Sequence, residues 1–393
     1  MVDHPLTALN LEKVREAFPV LREVVYLNVG TYGLMPEPAL AALLHWVCEF
    51  ERGGVACSPE LYQTVEATRR RIAALIGASP EEIAFTRNAN DGINLVIAGL
   101  DWQPGDEVIT SNEEHPAVQH PLLYLQRRQG VRIRVVEVSP DAGAMRERLD
   151  RLATERTRLV AMSHVSSETG TRLPVAEIQR WAAARNILTL FDGAQALGVF
   201  PIDVRQIGCD FYASNGHKWL GGPKGTGVFY GRLDRLPLLS PAHVGAGTLE
   251  RADMASGVAE PWADARRFEF GTRAWPLQAG LGASLDWFEG LGWASTERHI
   301  ASLSNYLKEQ VLERPYLQLR TPRAWQDSSG LTSFTVAGKA AGDVSTALRE
   351  KWHIYVRVVP EYNAIRISTA HFNSRDDIDR LLAALDGLQG SSS

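Results

Sequence analysis

Apolar positions in this chain gather into short continuous runs that break abruptly into polar, glycine-containing turns. Ile187, Leu188, Leu190 and Phe191 run into Asp192 and Gly193; Phe211, Tyr212 and Ala213 run into Ser214, Asn215, Gly216, His217 and Lys218. Runs of this kind read as strands buried on both faces, and here one strand ends in an acid and the other in a lysine. Open α/β sheets bind ligands at such strand ends.

The same device recurs along the chain. I-A-F-T-R-N-A-N-D-G-I-N-L-V reads as strand, turn and helix, with small and polar residues before an apolar helical pattern at Ile93, Leu95 and Val96. D-E-V-I-T-S, V-R-I-R-V-V-E-V and T-R-L-V-A-M-S read as strands, and G-T-G-V-F-Y-G as another; helical patterns fall near 40–50, 61–76, 144–154 and 175–184. This β-α-β alternation predicts a parallel sheet. Residues 11–19 read as a short helix ended by Pro19, R-G-G-V-A-C-S-P as a loop, and 232–267 as a long irregular segment. A helix from about Leu277 then leads to strands in L-Q-L-R, L-T-S-F-T-V, I-Y-V-R-V-V and A-I-R-I-S, the makings of a smaller α+β unit. We expect a large unit over 20–276, and a small one from 1–19 with 277–393.

The 393 residues, 45% hydrophobic and 22% charged, are enough for two units with real cores. A net charge of −5 gives no electrostatic case for nucleic acid or an anionic membrane surface. Three scattered cysteines, Cys48, Cys57 and Cys209, make neither a disulfide framework nor a metal motif, so no metal is expected and a reducing cytoplasm fits. The opening M-V-D-H-P-L-T-A-L-N lacks a basic start and an apolar core, no run approaches about eighteen apolar residues, and the closing G-S-S-S reads as low complexity.

An acid and a lysine converging on one pocket suit pyridoxal 5′-phosphate (PLP): the amine forms a Schiff base with the cofactor aldehyde, and the carboxylate keeps the pyridine nitrogen protonated. D-G-A-Q at 192–195, S-N-G-H-K at 214–218 and the following P-K-G-T-G resemble the class V aminotransferase family of PLP enzymes. That group includes cysteine desulfurases, cyst(e)ine C–S lyases and isopenicillin N epimerase-like proteins. The resemblance implies an α/β fold of fold-type I, with a mostly parallel seven-stranded sheet and a smaller α+β C-terminal domain.

It also implies roles. Lys218 carries the cofactor, Asp192 pairs with the ring nitrogen, and His115 of E-H-P lies flat over the ring and exchanges protons with substrate. Ala89 and Asn90 meet the phosphate at a helix N-terminus, where Asn90 or Asp91 otherwise reads as an ordinary cap. Asn215 and His217 donate to the same phosphate. Ser167 stands where relatives carry an asparagine, leaving the phenolate contact mainly to Gln195. Thr272 of G-T-R reaches the partner's phosphate in a homodimer, although Arg273 beside it reads equally as a surface charge. Arg366 matches the substrate-carboxylate arginine, with the alternative of a solvated charge opposite Ile365 and Ile367; Arg357 is a second candidate. Asn28 and Gly30, with Thr31, lie by the substrate entrance.

Between Arg357 and Arg366 stands V-V-P-E-Y-N-A-I, with no cysteine to take sulfur as a persulfide. The reading favoured is therefore a C–S β-lyase, which needs none, over an epimerase or aminotransferase. Cys57 is the one cysteine in a loop with any opening for a sulfur role.

Overall fold

The computed structural model describes residues 9–390; the expectations for residues 1–8 and the closing serines lie outside it. Seven strands form the main sheet in the order Ile83–Thr86, Gly227–Gly231, Phe211–Asn215, Leu188–Asp192, Thr157–Ser163, Glu107–Ser111, Arg132–Val136. Its first two junctions are antiparallel and the other four parallel. This is the expected mostly parallel α/β sheet of fold-type I.

The apolar runs are continuous because both faces are covered, and alternate residues feed different cores. Val160, Met162, Phe191 and Tyr212 pack on one side with Leu61, Ile72, Ile178 and Leu285. Leu159, Ala161, Leu190 and Phe211 pack on the other with Ile93, Val96, Val118 and Leu122. A third core lies around an antiparallel sheet ordered Leu317–Leu319, Leu331–Val336, Ala364–Ser368, Arg357–Val359, where Phe334, Ile365 and Ile367 meet helices through Leu303, Leu348 and Leu381. Early residues join this region: Val25–Tyr26 pairs in parallel with Ile354–Tyr355, and Arg15 bridges to Asp377 at 2.9 Å.

Some expected boundaries shift. The R-G-G-V-A-C-S-P segment is a tight 3-10 turn, Gly54–Cys57, between helices Glu37–Gly53 and Ser58–Leu75. The helix expected from Leu277 is two, Trp275–Leu291 and Trp293–Leu312, separated by Gly292 at φ 82°, a conformation that glycine adopts without strain. The stretch read as irregular contains an antiparallel hairpin, Leu249–Asp253 with Val258–Pro261. Its residues are mostly exposed and charged, so it lacks the period-2 apolar signal of a half-buried hairpin.

One buried ion pair fixes the approach to the G-T-R segment. Arg69 and Glu269 meet at 2.7 Å, both side chains almost fully enclosed; Glu269 also accepts the Phe85 N–H at 2.7 Å and is contacted by Arg273, which is thus paired. Burial works against the Glu269 carboxylate, but Arg69 and Arg273 overcome it and hold its pKa below the usual value. Glu269→Ala is expected to cost about 2–3 kcal/mol, because the buried Phe85 N–H loses its acceptor and Arg69 keeps only the half-exposed Glu66 as a partner. Since the folded-state pKa lies below the unfolded one, the stabilisation is complete above about pH 4.3 and fades as pH falls further. Urea denaturation of both proteins across pH measures this; a loss under about 1 kcal/mol, typical of exposed pairs, contradicts it.

Candidate active site

Strands Leu188–Asp192 and Phe211–Asn215 lie side by side in parallel, with Asp192 opposite Ala213. Asp192 therefore ends one strand within a few residues of the turn that carries Lys218. Gly193 N–H donates to the Ala213 carbonyl at 2.7 Å, Ala194 N–H donates to Asp192 Oδ1 at 2.8 Å, and His164 N–H donates to the Asp192 backbone carbonyl at 2.8 Å. Burial raises the Asp192 pKa and Lys218 pulls it back; burial lowers Lys218 to about 8, opposed by Asp192 and reinforced by Arg366 and Arg357. A half-buried amine of reduced basicity facing a buried carboxylate is suited to capturing a carbonyl compound.

Next to this pair begins the helix Ala89–Gly99. Its cap is Asn88, whose Oδ1 accepts the Asp91 N–H at 3.1 Å; Asp91 is occupied with Arg87, and Asn90 is exposed. Asn215 Oδ1 accepts the Ala89 N–H at 2.9 Å, which turns its amide –NH2 the other way, free to donate. Gly227 lets this turn approach the sheet, since a Cβ there would lie 2.6 Å from the Asn88 backbone. His217 Nδ1 is 3.4 Å from the Thr226 carbonyl oxygen, and burial lowers its pKa. Ala89 and Asn215 thus meet at one helix N-terminus, with His217 two residues further along in the lysine turn.

His115 caps the helix Pro116–Gln129 by accepting the Ala117 N–H on Nδ1 at 3.1 Å. Crowding by protein atoms, then the charges of Lys218, Arg366 and Arg357, lower its pKa to about 4, so the ring is neutral at pH 7 although its surface is open. The preceding Glu114 is fully buried; its carboxylate accepts Ser111 Oγ at 2.5 Å, Ser163 Oγ at 2.7 Å and the Ser163 N–H at 2.9 Å.

Gln195 is fixed by donating to the Gly30 carbonyl at 2.8 Å and accepting Trp219 Nε1 at 3.0 Å, with one amide hydrogen left to offer. Gly30 lies against the arginine: a Cβ there would stand 3.1 Å from Arg366 Nη2. Asn28 accepts Thr31 Oγ1 at 2.7 Å, and Thr31 Oγ1 lies 3.5 Å from the same Nη2.

Arg366 is buried rather than solvated. Its Nη1 donates to the Ser167 carbonyl, and its Nε has no hydrogen-bond partner among the described residues. Arg357 is directly opposite it on the neighbouring strand. Burial and then Arg357 lower the Arg366 pKa to about 9. Two facing guanidinium groups, one desolvated and neither in an ion pair among the described residues, form a site for an anion such as a carboxylate.

Thr272 is exposed after the positive-φ Gly271, and no contact among the described residues brings it to the cluster above. Cys57 is tied elsewhere, its thiol donating to the Glu49 carbonyl at 3.2 Å. Sequence reasoning passed over Glu113, Glu114 and Tyr362. The E-E-H run flags the acids, but only the fold shows Tyr362 OH donating to Glu113 Oε1 at 3.0 Å.

The chain matches the model of the family described as Aminotransferase class-V over residues 37–381. It is 34% identical to a cysteine desulfurase from Serratia proteamaculans, over 96% of this chain and 98% of that protein. Among solved structures it resembles a cystine C–S lyase, C-DES, in complex with cysteine persulfide, with a TM-score of 0.86, 29% identity, and coverage of 94% of this chain and 98% of that one. It also resembles the cysteine desulfurase of Thermococcus onnurineus, with a TM-score of 0.88, 27% identity, and coverage of 97% and 98% respectively. A chain with this sheet, this lysine–aspartate pair and a family match over most of its length belongs to the class V aminotransferase family.

Proposed function

We propose that the chain is a PLP-dependent enzyme that cleaves a C–S bond of cysteine, cystine or a cysteine conjugate by β-elimination. One observation carries this choice within the family: the two arginine-bearing strands are joined by a short connection, the 3-10 turn Pro360–Tyr362 and then Asn363, holding no cysteine to accept sulfur. A reaction that releases sulfur on the leaving group needs no such acceptor. A variant of C-DES has been solved with glycine linked to its PLP cofactor, which supports the choice of cofactor here.

The residues present fit PLP. The amine of Lys218 suits its aldehyde, the buried Asp192 carboxylate its pyridine nitrogen, and the Ala89–Asn90 helix start with Asn215 and His217 its phosphate. Ser167 and Gln195 stand ready for its phenolate oxygen. When bound, PLP supplies an electron sink for the bond-breaking at Cα.

The protein's own groups do the rest. Arg366 and Arg357 grip the substrate carboxylate, with Asn28 and Gly30 lining its approach. Asp192, whose carboxylate Lys218 favours against burial, would hold a proton on the ring nitrogen. His115, neutral at pH 7, would cover the ring face and could take up a proton. Lys218 Nζ, whose lowered pKa leaves a useful unprotonated fraction, is the base for the Cα proton. Loss of the thiolate or persulfide then leaves an enamine that hydrolyses to pyruvate and ammonia.

Thr272 is assigned to the partner's phosphate in a homodimer. Exposed Leu44, Val47 and Tyr62 on adjoining helices and Val55 in the turn between them, with Phe270 near Thr272, support such an interface. The division into units 20–276 and 1–19 with 277–393, and a cytoplasmic setting, belong to the same reading. Among the described residues no helix is long and apolar enough to cross a membrane.

Incubation with L-cystine, L-cysteine and S-conjugates is expected to yield pyruvate at catalytic turnover. Alanine with sulfide would establish a desulfurase instead, and exchange of the Cα proton without either product an epimerase. Borohydride treatment is expected to fix PLP covalently to Lys218 and to leave Lys218→Ala unlabelled; retained label elsewhere contradicts the assignment. Arg366→Ala is expected to raise KM by about 2–4 kcal/mol equivalent, since one partner of a desolvated pair is lost. An unchanged kcat/KM refutes the carboxylate role.

A further inference from the structure

The turn Ser166–Thr169, at the C-terminal end of strand Thr157–Ser163, is held from two sides. From the main sheet comes Glu113, 5% exposed, whose Oε2 accepts Ser166 Oγ at 2.5 Å and Thr169 Oγ1 at 2.6 Å. From the antiparallel sheet come Arg366, bonded to the Ser167 carbonyl, and Ser333, bonded to the Glu168 carbonyl; from just beyond the strand Leu317–Leu319 comes Thr321, which donates to the Thr169 carbonyl at 2.5 Å. Tyr362 closes the figure. It sits in the turn between the two arginine-bearing strands and donates to the remaining Glu113 oxygen, Oε1, at 3.0 Å.

Glu113 is two residues from His115, and Tyr362 is four residues from Arg366. The Tyr362–Glu113 bond therefore joins the loop that presents His115 directly to the turn that links Arg357 and Arg366, across the opening between the sheets. A phenol donating to a buried carboxylate is a charge-assisted bond, short in reach and strict in direction. Burial, then the Glu113 charge, raises the Tyr362 pKa, so the donor persists throughout the working range of pH. We propose that Tyr362 is a positioning residue: its bond to Glu113 sets the arginine pair at the right distance from His115 and Lys218, and so tunes how well a substrate carboxylate is held. This rests on the reading above, in which Arg366 and Arg357 receive that carboxylate.

Tyr362→Phe in the PLP-loaded enzyme tests it, the ring being kept and only the hydroxyl removed. KM for L-cystine is expected to rise about tenfold, the scale of one lost hydrogen bond to a charged group, while kcat changes less than about threefold. L-Alanine, which has no leaving group on Cβ, serves as a binding probe read from the cofactor's absorbance, and its affinity is expected to fall by the same factor. In an Arg366→Lys background the hydroxyl's effect on L-alanine binding is expected to shrink, as it must if Tyr362 acts through the arginine. Hydrogen exchange of segments 111–115 and 166–169 is expected to quicken in the cofactor-free and loaded protein alike. Faster exchange with unchanged KM and L-alanine affinity would overturn the proposal, as would a fall confined to kcat. If L-cystine gives no pyruvate, the lyase reading fails, yet L-alanine binding and exchange still decide the role of Tyr362.

Discussion

The site depends on one electrostatic constraint: a half-buried lysine amine and a buried carboxylate are set close together at the ends of adjacent strands. Either charge alone would be driven towards its neutral form by burial, and each is retained chiefly by the other. The parallel register that sets Asp192 against Ala213 makes the pairing possible, since it delivers the two chain segments to the same edge of the sheet. The two apolar cores on either face hold that register, because a one-residue slip would exchange their contents. The reduced basicity of Lys218 is thus a consequence of how the sheet is packed.

A second tension lies across the opening. Arg357 and Arg366 face each other on neighbouring strands, a like-charge pairing that opposes folding. Carbonyl and hydroxyl oxygens of Ser167 and Thr31 ease it without cancelling the charge. A substrate carboxylate bound there, as proposed, would complete the balance and so link substrate binding to the settling of the antiparallel sheet on the main one. The same cations help to lower His115, so a carboxylate bound to them would make its ring easier to protonate.

Much of this was legible in the sequence. The strands ending at Asp192 and Asn215 fall where the apolar runs end, because a strand buried on both faces leaves an unbroken signature. Asp192 interacts with Lys218, and Ala89 with Asn215, because motif spacing carries strand-end geometry. Less was legible where pattern is weak. The hairpin at 249–261 is solvated on both faces and so has no alternation to detect. Asn88, rather than Asn90 or Asp91, caps its helix, a choice of one residue made by backbone geometry. Gln195 reads in isolation as a ligand contact, but the fold also employs it between Gly30 and Trp219. Tyr362 and Glu113 are 249 positions apart and share no local pattern.

The central claim, that Asp192 sustains the charge of Lys218 against burial, is tested most directly by titrating the Lys218 amine in cofactor-free protein, through NMR of the isotopically dimethylated lysines. The account predicts a pKa near 8 in the native chain and a clearly lower one in Asp192→Asn, where the desolvation remains and the opposing carboxylate is gone. An amine that titrates at the same pH in both proteins, or at the ordinary value of an exposed lysine, would contradict it.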